Sequence, residues 1–176
     1  MLPRLLAIPT LLLLVVSHTL GNAPLLEYQV KAVAIVNVIR FTTWPAAALP
    51  EPPAPIVIGI WGDNPFGRLL DDVVSTERLH SRALRVQRFP SDGRPSGCHI
   101  VFVSRSEQNR MRTVIEELHR DGVLTISQIE GFAQNGGIVG MTLVGGNLRF
   151  QVNVETARKA GLKLDARFLS IARVVR

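Results

Sequence analysis

A chain of 176 residues, 47% of them hydrophobic, suits one domain with a sizeable core. Its formal charge is +6, but Arg78, Arg82, Arg85, Arg88, Arg94, Arg105, Arg110 and Arg112 are scattered and no aromatics interleave with them, which excludes a nucleic-acid-binding pattern and leaves a solvated basic surface or one for anionic headgroups or an acidic partner. Its single cysteine, Cys98, excludes an internal disulfide, so the core must hold itself together.

The N-terminus reads as a secretory signal peptide over residues 1–21. Arg4 supplies the positive start, LLAIPTLLLLVV over 5–16 the apolar run, and SHTLGNA over 17–23 the polar exit. Twelve residues at about 1.5 Å each fall short of a hydrocarbon core of about 30 Å. Thr19 and Gly21 are the small residues at −3 and −1 for a cut before Asn22. An uncleaved anchor is the competing reading. Cleavage leaves residues 22–176 as one exported domain, with the charge lowered from +6 to +5 by the loss of Arg4. No later stretch is apolar and long enough to span a membrane.

In chain order, 26–41 is dense in apolar residues without glycine or proline and predicts a largely buried helix. Pro45 ends it, and the proline-rich 45–55 is a stiff connection. IVIGIW, 56–61, predicts a buried strand. Asn64 is then the expected N-cap of a helix through FGRLLDDVVSTERL, 66–79. Strands follow at 84–89 and 98–104, the latter the most apolar and central in the sheet. Ser106 is the expected cap of a helix through 107–120, and 123–126 is the next strand. Strands at 138–144 and 148–154, split by Gly145-Gly146-Asn147, predict a hairpin. Residues 155–164 and 165–175 read as two short helices broken at Gly161, with Phe168, Leu169, Ile171, Ala172 and Val175 as the apolar face of the second. The alternation predicts an α/β fold. It is a single three-layer-like domain, with a central mostly parallel sheet flanked by helices and a C-terminal β-hairpin.

No catalytic constellation emerges, so no enzyme, metal or cofactor is expected. His80, His99 and His119 lack ligand spacing, and Cys98 and His99, adjacent in a strand, point to opposite faces. There is no G-x-S-x-G and no P-loop. The glycines of GFAQNGGIVG, 131–140, precede a strand instead of following one. They read as turn chemistry anchored by Phe132, not as a phosphate cradle.

The pieces EYQVKA (27–32), RFTTWP (40–45), WGDNPFG (61–67), CHIVFVS (98–104), LTISQIEGFAQNGG (124–137), LRFQVN (148–153), AGLKL (160–164) and LSIARVV (169–175) stand in one order. Together they resemble the YfiR/HmsC family over almost the whole mature chain. The resemblance implies a periplasmic regulator without catalytic activity, usually dimeric. Such a protein binds the periplasmic sensory part of a membrane-bound diguanylate cyclase, restrains it, and so lowers cyclic di-GMP and biofilm formation. The alternative is a single-lobe periplasmic sensor or uptake protein for a small molecule. Well-known relatives carry redox-responsive disulfides, which a lone Cys98 cannot reproduce. The partner or ligand-binding candidates are Asn37, Arg40 and Trp44 at the end of the first helix, and Arg149, Asn153 and Arg173 in the last third. Trp44 near Arg40 suits a hot spot or simple packing over the sheet. Arg149 and Asn153 share a strand face. They suit either a forked anion site or an internal ion pair with Glu155 or Asp165.

Overall fold

The computed structural model describes residues 23–176, so the expected leader and its cleavage site lie outside the described residues. The elements run α1 (Ala23–Arg40), β1 (Thr42–Thr43), β2 (Ile56–Trp61), α2 (Leu69–Ser75), β3 (Arg78–Leu79), β4 (Arg82–Phe89), β5 (Ile100–Val103), α3 (Met111–Arg120), β6 (Leu124–Ser127), β7 (Val139–Val144), β8 (Asn147–Asn153), α4 (Val154–Lys159), β9 (Lys163–Leu164), α5 (Ala166–Leu169) and β10 (Ala172–Val175). Eight strands form one sheet in the order β10-β8-β7-β6-β5-β2-β4-β3, and β1 pairs with β9 in a second, two-stranded one.

The sheet is mostly parallel. β4, β2, β5, β6 and β7 run together, and β8 returns antiparallel to β7. From β2 the chain passes through α2 to β4 on one side; from β5 it passes through α3 to β6 on the other. Right-handed crossovers in opposite directions put their helices on opposite faces. The core divides accordingly. Ile56, Ile58, Ile60, Ile100, Phe102, Leu124 and Ile126 pack with α1 and α2. Trp61, Val101 and Val103 pack with Met111, Ile115 and Leu118 of α3 on the other face. Strands buried on both faces lose polar alternation, which is why β2 and β5 read as unbroken apolar runs.

Four local expectations need correction. The helix after Pro65 is shorter, and Asn64 does not cap it: its Oδ1 accepts from the Phe66 N–H in a tight turn, and α2 starts only at Leu69. Ser106 does not cap α3, which begins at Met111. The first helix is buried on one side only, since Leu25, Leu26, Val30 and Val33 are exposed. The expected last helix is instead one turn, α5, followed by β10, which pairs parallel with β8. There Phe168 is buried, while Ile171 is exposed.

The hairpin forms with Val144 opposite Asn147, so Gly145 and Gly146 alone make the turn, at φ of 56° and 78°. Positive φ at both positions is the type I′ pattern, whose twist matches that of the strands. Far from it in sequence, the end of α1 is fastened to the last third of the chain. Thr42 faces Leu164, the Asp165 N–H donates to the Phe41 carbonyl at 2.8 Å, and the Phe41 ring stacks on Phe168 at 6.4 Å.

Candidate functional site

In open α/β sheets, ligands gather at the carboxyl ends of strands where the winding reverses. Here that point lies between β2 and β5. The segments leaving these strands, Gly62-Asp63-Asn64 and Ser104 to Glu107, are laced together. Ser104 donates its N–H to the Trp61 carbonyl at 3.0 Å and its hydroxyl to the Asp63 carbonyl, and the Asp63 N–H donates to Ser106 Oγ at 3.0 Å. Glu107 fills the middle, fully buried. Its carboxylate accepts from the hydroxyls of Ser91 and Ser106 and from Arg110 Nε at 2.6 Å. Burial pushes this carboxyl up, but the two hydroxyls and the guanidinium outweigh it and hold it below the usual range. The Arg110 guanidinium lies 5.5 Å from the Trp61 ring, and the Trp61 indole N–H has no hydrogen bond among the described residues. The crevice is thus closed by the protein's own carboxylate.

One strand further along, the same end of the sheet holds a second polar cluster. Lys31 of α1, 1% exposed, donates to Glu27 and to Oε1 of Gln128, the residue that follows β6. Gln128 in turn donates to the Tyr28 hydroxyl at 3.1 Å. The Tyr28 ring meets Phe66 edge-on at 5.5 Å, and Phe66 meets Phe102 edge-on at 4.8 Å. A buried ammonium needs both charge and hydrogen-bond partners. Glu27, one turn away on the helix, gives the first; Gln128, 97 residues distant, completes the second. Sequence reading did not single out this cluster. Its members do lie in the quoted pieces EYQVKA, WGDNPFG and LTISQIE, and their common order was the available signal.

Beside these clusters opens a cleft of about 500 Å³ between the start of α3 and the loop after β6. Met111, Ile115 and Ile129 give it apolar walls, and Gln108, Arg112 and Glu130 give it polar ones. The loop itself is held by Phe132. A Cβ on Gly137 would lie 2.1 Å from that ring, and the Gly137 N–H donates to the Phe132 carbonyl at 2.9 Å. The turn reading of GFAQNGGIVG therefore holds, Phe132 being its buried anchor.

The six sequence candidates separate into two layers. Asn37, Arg40, Arg149 and Arg173 are exposed, while Trp44 and Asn153 are buried. Trp44, 6% exposed, packs in the core on the α1 side. Arg40 is paired with Glu77. Asn153 borders the cleft, accepts from the Thr156 N–H as the cap of α4, and donates to the Ala133 carbonyl at 3.0 Å. The ion pair weighed for Arg149 does not form. Glu155 is engaged by Arg158 and Lys159, and Asp165 by Arg167.

Cys98 is buried, and burial pushes its thiol up to about 11, so it acts as a small apolar side chain. His99 Nδ1 accepts from the Val57 N–H at 3.0 Å, and His119 Nε2 lies 2.9 Å from the Thr125 hydroxyl. Both histidines have structural partners. Among the described residues, no group of three or more His, Cys, Asp or Glu could hold a metal, and no helix is long and apolar enough to cross a membrane.

A mostly parallel three-layer domain with a closed switch-point crevice defines a single-domain α/β protein. The YfiR/HmsC-like family model matches residues 28–173, and the chain belongs to that family. No curated protein matches it.

Proposed function

We propose that this protein is a periplasmic negative regulator that binds and restrains an inner-membrane diguanylate cyclase, lowering cyclic di-GMP and biofilm formation. The observation that carries the reading is the family match over residues 28–173. The leader-like residues 1–21 support export. The self-filled crevice around Glu107 fits a protein that works by its surface. Asn37, Arg40, Arg149 and Arg173 are the exposed candidates for partner contact, while the candidates Trp44 and Asn153 are buried. A homodimer is part of the proposal. Deleting the gene raises cyclic di-GMP and surface attachment, and the purified chain retains the cyclase's periplasmic domain. An unchanged cyclic di-GMP level in the deletion strain would refute this reading.

One observation favours a second reading, a small-molecule sensor. The cleft lined by Gln108, Arg112 and Glu130 has the size and mixed polarity of a metabolite site. Calorimetry with periplasmic amino acids and nucleosides checks it; heat of binding that disappears in Arg112→Ala would support it.

A further inference from the structure

β10 is the end strand of the eight-stranded sheet. Its inner side is bonded to β8, with Arg173 beside Gln151 and Val174 beside Val152, and among the described residues no strand pairs with its outer side. The opposite end of the sheet is closed by β3, which is only two residues long. A four-residue edge without cover presents a row of free N–H and C=O groups ready to accept another strand.

The side chains around this edge are biased in a specific way. Arg173 lies on the sheet face that also carries Gln151 and Arg149, one pleat apart on the neighbouring strand. Both arginines are exposed, and Arg176 follows immediately. None of the three belongs to any ion pair among the described residues. The nearby carboxylates of Glu155 and Asp165 are already held by other cations. Residues 1–22 contain no Asp or Glu that could reach them. The other face of the strand is apolar: it carries Ala172 and Val174, the latter 52% exposed. The edge thus combines free backbone groups, uncompensated positive charge on one face and exposed valine on the other.

We propose that the outer edge of β10 is a docking edge for an extended, acidic segment of a partner protein, which joins the sheet as an added strand. Backbone hydrogen bonds supply the attachment. The period of two supplies the selectivity: acidic side chains of the added strand face Arg149 and Arg173, and apolar ones cover Val174. A second copy of this chain is the poorer occupant. Pairing β10 with itself sets the arginines of both copies side by side, and like charges on neighbouring strands repel. The proposal rests on reading the chain as a partner-binding regulator, and it assigns the surface and the form of the partner's segment.

The test uses the full exported chain, wild type and Arg149→Glu/Arg173→Glu, with Arg105→Glu/Arg120→Glu as a control of equal charge on exposed positions elsewhere. Two probes are added: the periplasmic domain of the restrained cyclase, and a peptide of alternating Glu and Val with a Lys–Val peptide for comparison. The edge variant is expected to bind the cyclase domain at least about tenfold more weakly, with the control within about threefold of wild type. Amide exchange over residues 172–175 is expected to slow in the complex. Wild-type affinity in the edge variant, with unchanged exchange at β10, overturns the proposal and leaves the regulator reading intact. Protection of β10 that grows with protein concentration alone overturns it in favour of self-pairing. If the cyclase domain does not bind at all, the regulator reading fails separately. The peptides then decide: preference for Glu–Val over Lys–Val, lost in the edge variant, supports the edge, and no preference overturns it.

Discussion

Gly62 shows how closely the switch point is built. Its φ is 87°, a region that residues with a Cβ reach only with strain. An added Cβ would also lie 2.3 Å from Ser106 Oγ and 2.8 Å from Glu107 Cγ. Gly62→Ala should therefore cost about 3 kcal/mol or more, the conformational and steric penalties together. Gly67, at φ 56° with nothing within 4 Å of its Cβ, isolates the first penalty, and Gly67→Ala should cost about 1 kcal/mol. Urea denaturation of the two variants checks the difference; equal losses would mean that the crowding around Gly62 relaxes freely. Sequence reading saw here only the N-cap expected of Asn64. It did not see the crowding, because Ser106 and Glu107 reach this place through β5 of the sheet and not through neighbouring sequence.

At the scale of the element, the β7–β8 hairpin depends on two glycines in the left-handed region with open space around them. Asparagine tolerates that region at the first position of a type I′ turn, and removing a glycine there restricts the unfolded chain. Gly145→Asn should be neutral or stabilising by up to about 1 kcal/mol, while Gly145→Val, β-branched in a positive-φ position, should be destabilising by about 2 kcal/mol. Thermal denaturation of both distinguishes turn chemistry from side-chain contact. This hairpin was legible because its signal is local: a glycine pair between two alternating runs. β2, β5 and β6 were legible for the related reason that short apolar runs between turn residues have few other ways to be buried. The last strand was not. LSIARVV has the spacing of a helix face as well as of a strand. What decides it is the row of partners Phe150 to Asn153 on β8, available only once the sheet exists. The exposed candidates Arg149 and Arg173 were named from sequence as partner or ligand-binding residues. Their adjacency came only with the pairing of β10 to β8, and the Lys31–Gln128 cluster likewise needed α1 laid across the end of β6.

For the molecule as a whole, acid should be destabilising before it is denaturing. Burial holds His119 at about 4, below its ordinary 6.5, and burial lowers His99 in the same direction. Above pH 6.5 His119 is neutral in both states and contributes nothing to the pH dependence. Between pH 6.5 and 4 the unfolded chain binds a proton that the folded one refuses, so stability falls as pH drops, for His119 by up to about 3 kcal/mol. Glu107 adds to the lower part of the decline: its folded value is depressed, so its stabilising share is complete at neutral pH and is lost as pH falls through that value. His119→Gln should flatten the upper part of the profile, between pH 6.5 and 4, and leave the lower part in place. Urea midpoints at several pH values read this directly, and an unchanged slope in the variant would assign the effect to other groups.

The pairing of Thr42–Thr43 with Lys163–Leu164 has a consequence for how the chain can be made. A ribosome delivers residues in order, at roughly 5–20 per second. Phe41 and its neighbours therefore emerge on the order of ten seconds before the segment that receives them. During that interval the far end of α1 is without its anchor. A nascent chain stopped short of Lys163 carries a strand pair with one member missing and a Phe41 ring without Phe168. The native state is thus withheld until almost the last residues arrive.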